Sequence, residues 1–184
     1  GYDAFAYLKV ENGVATDLVI AHRGTQFAEK FQLADVVQDL QLALAGTQGN
    51  QMPDARNFVT QVEAAYNSYR DAHPEIQAPT NASTILAHTG HSLGGYIATS
   101  LAIEEGSNGR AISFDNPQTP YTSANGADIT TVLTEPNIFN MAGVGHHVGT
   151  VYVLSDTLEA STTNASLVNI FVNHVIDALF NQAV

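Results

Sequence analysis

The residues best suited to chemistry are Gly90-His91-Ser92-Leu93-Gly94. A serine with a glycine two positions away on each side fits the G-x-S-x-G pattern, in which the nucleophile sits on a sharp strand-to-helix corner that no neighbouring Cβ may crowd. A hydroxyl held there can attack an acyl carbon, provided that an imidazole takes its proton, a third group orients the imidazole, and amide donors receive the oxyanion. The chain has 7 His and 18 Asp plus Glu but no Cys. Nucleophiles are therefore limited to oxygen and nitrogen, and disulfides and zinc-thiolate sites are excluded. A phosphate-binding reading of Thr89 to Gly95 is poor, because no Lys follows the glycines.

The pattern carries weight only if a strand precedes Ser92 and a helix follows it. Thr84 to His88 is a short apolar run stopping at Thr89-Gly90, and Leu93 to Glu105 reads as a helix closed by Gly106. Ser92 then stands at the C-terminal edge of a sheet, beside the amides of a helix N-terminus. Upstream, two apolar stretches between Ala4 and Ala21 flank Glu11-Asn12-Gly13, a strong hairpin signal. Phe31, Ala34, Val37, Leu40 and Leu44 recur at helical spacing up to Gly46; Gln48 to Pro53 reads as a polar loop. Phe58, Val62, Ala65 and Tyr69 mark a second helix, with Pro53 near its first turn and Pro74 beyond its end. Further strands are expected over Ala111 to Phe114, Ile129 to Leu133 and Thr150 to Leu154. A C-terminal helix is expected through Leu167, Ile170, Phe171, His174, Val175, Ala178 and Leu179, capped by Asn164. Strands alternating with helices predict an α/β fold with a mostly parallel sheet, opened by a hairpin.

Gly90-His91-Ser92-Leu93-Gly94-Gly95, with Ala21-His22-Arg23-Gly24-Thr25 upstream of it, resembles the fungal-type (class 3) lipases. In these α/β-hydrolases a hydrophobic-Arg-Gly-Ser/Thr turn precedes a G-H-S-L-G-G elbow. Asp35 to Leu40 and Gly145 to Gly149 extend the likeness more loosely, over about two thirds of the chain. The resemblance implies an α/β-hydrolase domain and the oxyanion donors: Thr25, through its amide and hydroxyl, and the Leu93 amide. Two preorganised donors of this kind are commonly the largest catalytic term.

In this fold class the chain order is nucleophile, acid, base, so the base is sought late in the sequence. His174 is the favoured residue. His146 and His147 resemble a segment of the lipases in which the histidine is not the base. His91 is read as structural, and His22, His73 and His88 as packing or surface residues. For the acid, class 3 lipases use Asp in an Asp-x-Val-Pro turn, where this chain has Asn137 in Glu135-Pro136-Asn137-Ile138. An amide fixes a tautomer but offers no charge to an imidazolium. Asp115, in Phe114-Asp115-Asn116-Pro117 at the end of the strand after the elbow helix, is preferred, resembling the Leu-Asp-Pro turn of the pancreatic-lipase type. Asn137, Asp156 and Glu135 stay open as alternatives.

Composition narrows the partners. Six Lys plus Arg against 18 Asp plus Glu give a net charge of -12, which argues against gripping nucleic acid or an anionic membrane surface. No segment reaches the length of a membrane span. The expectation is one α/β-hydrolase domain spanning residues 1–184, excised from a longer secreted or extracellular chain. It would cleave a small-molecule ester or lipid as a lipase or esterase, with no metal or cofactor; oligomeric state is left open. The competing expectation is a catalytically silent domain of the same fold that serves as a binding module.

Overall fold

A computed structural model describes residues 2–24, 33–134, 140 and 145–154, with backbone alone over 33–50. Six strands form one mixed sheet in simple sequence order: β1 (Ala4–Glu11), β2 (Val14–His22), β3 (Leu86–His91), β4 (Arg110–Phe114), β5 (Asp128–Leu133) and β6 (Thr150–Val153). The first pair is antiparallel and the remaining pairs are parallel. Asn12 and Gly13 turn the hairpin at φ 49° and 77°, the paired positive angles that a two-residue turn of matching twist requires.

Two helices connect the first parallel strands: α1 (Leu33–Ala72) between β2 and β3, and α2 (Leu93–Glu105) between β3 and β4. The expected polar loop at Gln48 to Pro53 is not a loop: α1 runs through it with Pro53 inside. Proline there leaves the Gly49 carbonyl without its helical donor, at a cost of roughly 3 kcal/mol. Packing offsets this, since Met52 and Ala55 on either side of Pro53 are buried against Leu93, Tyr96, Ile97 and Leu101 of α2. Helix α2 carries no polar stripe because every residue from Leu93 to Ile103 is buried.

One face of the sheet is covered. Leu18, Ile20 and His22 of β2, Leu86 and His88 of β3, Ala111 and Ser113 of β4, and Ile129, Thr131 and Leu133 of β5 are all buried, at alternate positions. Val62 and Tyr66 of α1 pack on the β2 end of this face. Along β4 the small residues are required by close approach: a Cβ on Gly95 of α2 would stand 2.9 Å from the Asn116 Cβ and 3.3 Å from that of Ser113. The opposite face is far more open, with Phe5, Tyr7, Ile112 and Tyr152 all more than half exposed. Each parallel strand runs toward the same edge, so the residues just past β2, β3, β4 and β5 are gathered there. This is where open α/β sheets assemble their sites.

Candidate active site

Four strand ends build the corner. Arg23-Gly24 follows β2, Ser92 follows β3, Asp115 follows β4 and Thr134 follows β5. Ser92 lies at φ 55°, ψ −126°, a conformation that costs a non-glycine residue about 1–3 kcal/mol. Neighbouring contacts hold it: the Ser92 amide donates to the Phe114 carbonyl at 2.9 Å, and its own carbonyl accepts from the Tyr96 amide at 3.0 Å. The flanking glycines are required by space. A Cβ on Gly94 would overlap the His22 carbonyl oxygen, one on Gly90 would overlap the Gly94 backbone, and one on Gly24 would come within 2.6 Å of the His91 carbonyl oxygen. The end of β2 is thereby pressed directly onto the start of α2.

Asp115 also has a left-handed backbone, φ 47°, and is fully buried. Its amide donates to the Val132 carbonyl at 2.8 Å. Its Oδ1 accepts from the Thr134 amide at 3.2 Å and from Asn140 Nδ2 at 2.8 Å; its Oδ2 accepts from the Thr134 hydroxyl at 2.9 Å. Beyond Asn140, the His147 Nε2 donates to the Asn140 carbonyl at 2.8 Å. Burial pushes the His147 pKa down, against the pull of that bond and of the Asp115 charge. Thr134 and Asn140 went unnoticed in the sequence. Thr134 has the weak signal of following a strand; Asn140 has none.

The structure brings Ser92, Leu93 and Asp115 together at one sheet edge. His174, Thr25, Asn137, Asp156 and Glu135 lie outside the described residues. Ser92 is only 2% exposed. His22 and His88 are not surface residues: they are 3% and 1% exposed and bonded to each other. His73, by contrast, sits in an exposed pairing with Glu75 at 2.9 Å. Among the described residues no group of three or more His, Asp or Glu is arranged to hold a metal ion, and no helix is long and apolar enough to cross a membrane.

Fold and site together define an α/β protein with a strained serine at a strand-to-helix corner. The chain belongs to a family described as a domain of unknown function (DUF6792), whose model matches residues 3–132. That match contains the corner residues from Arg23 to Asp115 and ends short of Thr134 and Asn140. No curated protein matches the chain.

Proposed function

We propose that this protein is a serine hydrolase of the α/β-hydrolase type, cleaving carboxylic esters as a lipase or esterase. The observation that supports it is the Ser92 backbone, φ 55° and ψ −126°, held between a parallel strand and the first turn of a buried helix. A merely structural serine has no need of such strain, whereas a nucleophile gains from it, because the hydroxyl is turned toward the helix N-terminus and its amides.

In this reading Ser92 Oγ attacks the ester carbonyl carbon while His174 takes its proton. The oxyanion accepts from Thr25 and the Leu93 amide, and the collapsing intermediate releases the alcohol, which regains the proton from His174. Water then attacks the acyl-enzyme by the same route and frees the acid and Ser92. Asp115 serves as the orienting carboxylate: its charge is already buried and fixed by Thr134 and Asn140, ready to stabilise an imidazolium. The substrate is a neutral or weakly charged ester, in keeping with the acidic chain, and the secreted location belongs to the same proposal.

Hydrolysis of a chain-length series of nitrophenyl esters tests this. Turnover by the native chain, falling by about 10⁵- to 10⁶-fold in Ser92→Ala, is the expected result; equal rates for both chains would refute it. The burial of Ser92 favours one competitor, a silent domain of the same fold acting as a binding module. That reading predicts no turnover of any ester in the series.

A further inference from the structure

The covered face holds a run of polar side chains that the hydrolytic mechanism leaves unused. Ile20 pairs with His88 and His22 with Gly90 across β2 and β3, so the two histidines project diagonally from the same face. Their rings stack with centroids 5.2 Å apart. His22 Nε2 lies 3.0 Å from His88 Nδ1, His88 Nε2 lies 2.9 Å from Glu105 Oε1, and the Tyr2 hydroxyl lies 2.8 Å from His22 Nδ1.

With Glu105 ionised and both rings neutral, this chain has a single hydrogen assignment. A carboxylate only accepts, so His88 must donate through Nε2 and accept at Nδ1. His22 must then donate through Nε2 and accept at Nδ1, where the Tyr2 hydroxyl donates. Burial, reinforced by His88, lowers the His22 pKa to about 3, which keeps that ring neutral. Burial also raises the Tyr2 pKa, aided by the charges of Asp3 and Asp54, which keeps its proton in place. Every ring nitrogen is satisfied and the direction is fixed.

Two members of this chain belong to the elements that lead to the corner. His22 is the last residue of β2, and its carbonyl rests against Gly94; the next residues lead to Thr25. Glu105 is the last residue of α2, whose first residue is Leu93. We propose that Tyr2, His22, His88 and Glu105 form a positioning chain that holds β2, which ends beside the start of α2, and α2, which opens with Leu93, in fixed relation. The inference rests on the reading of Ser92 as a nucleophile. It also explains why polar rings occupy a place where apolar ones would pack with no partners to satisfy. A misplacement of about 1 Å in such a site costs on the order of 10²-fold in rate.

The test pairs imidazole nitrogen NMR with ester kinetics. In the native chain each neutral ring should carry its proton on Nε2. Glu105→Leu should lower kcat about 10- to 100-fold at unchanged KM, while Glu105→Gln, whose Oε1 still accepts from His88, should restore it to within a few-fold. The double variant His22→Phe with His88→Phe, which keeps two flat rings but no bonds, should show the same loss and serves if Glu105→Leu fails to fold. The opposite tautomer in either ring, or a kcat within twofold of native in Glu105→Leu or in the double variant, would overturn the positioning role alone. A native chain that hydrolyses no ester would overturn the hydrolase reading, and this inference with it.

Discussion

Two buried polar clusters meet strands β2 and β3 and differ in backbone. At the sheet edge, Ser92 and Asp115 both sit at positive φ, 55° and 47°, and their side chains lie at the junction of four strand ends. Within the sheet, His22 and His88 occupy regular strand positions and gain partners by register alone. Of the two clusters only the corner carries this strain, which recurs among the described non-glycine residues at the turn residues Asn12 and Asn125, and the unstrained cluster satisfies itself with three bonds. Backbone distortion thus separates the two clusters, whereas burial of polar groups marks both equally.

The sharpest way to break this contrast is Asp115→Asn. Its oxygen can still accept from Thr134 and Asn140, and its amide can donate to the Thr134 hydroxyl, so the fold should survive. The rate should nonetheless fall about 10³- to 10⁴-fold, since the amide offers no charge to the imidazolium. A stable variant with native kcat would return the acid to Asn137, Asp156 or Glu135.

Next in size is Gly94→Ala. Its methyl would overlap the His22 carbonyl, which is backbone and cannot rotate away. A loss of about 3 kcal/mol or more is expected in denaturant unfolding, together with loss of esterase activity. A native-like unfolding curve would show that β2 and α2 are not pressed together as described.

The smallest effect belongs to the histidine cluster and to acid. Since the His22 pKa falls from 6.5 to about 3 on folding, the unfolded chain binds a proton between those values that the folded chain refuses. The His22 contribution to stability is complete above pH 6.5. It declines by at most about 1.4 kcal/mol per pH unit as acid is added toward pH 3. Urea unfolding at pH 7 and pH 4.5 should show this slope, and His22→Phe should flatten it; an unchanged slope in the variant would mean that His22 is solvated.

Local signals accounted for much of the fold. Asn12-Gly13 marked the hairpin, Gly106 the end of α2, and G-x-S-x-G the corner, because each is a backbone demand expressed within a few residues. The continuous α1 was not legible: Gly46, Gly49 and Pro53 are stop signals, overridden by packing of Met52 and Ala55 on α2. Nor was the His22–His88 pairing, which depends on the register of strands far apart in sequence. The tight turns at Ser92 and Asp115 were legible, because glycine and proline neighbours announce them. Thr134, Asn140 and the burial of Ser92 were not legible, since the bonds of Asp115 to Thr134 and Asn140 join residues far apart in sequence.

The central claim is that the Ser92 hydroxyl is an activated nucleophile. Incubation with a fluorophosphonate, followed by mass analysis of the peptide containing Ser92, tests it most directly. One covalent phosphonyl group on Ser92, absent after heat denaturation and in Ser92→Ala, is the predicted result. An unmodified Ser92 peptide from the folded native chain, under conditions that fully label a control serine hydrolase, would contradict the account.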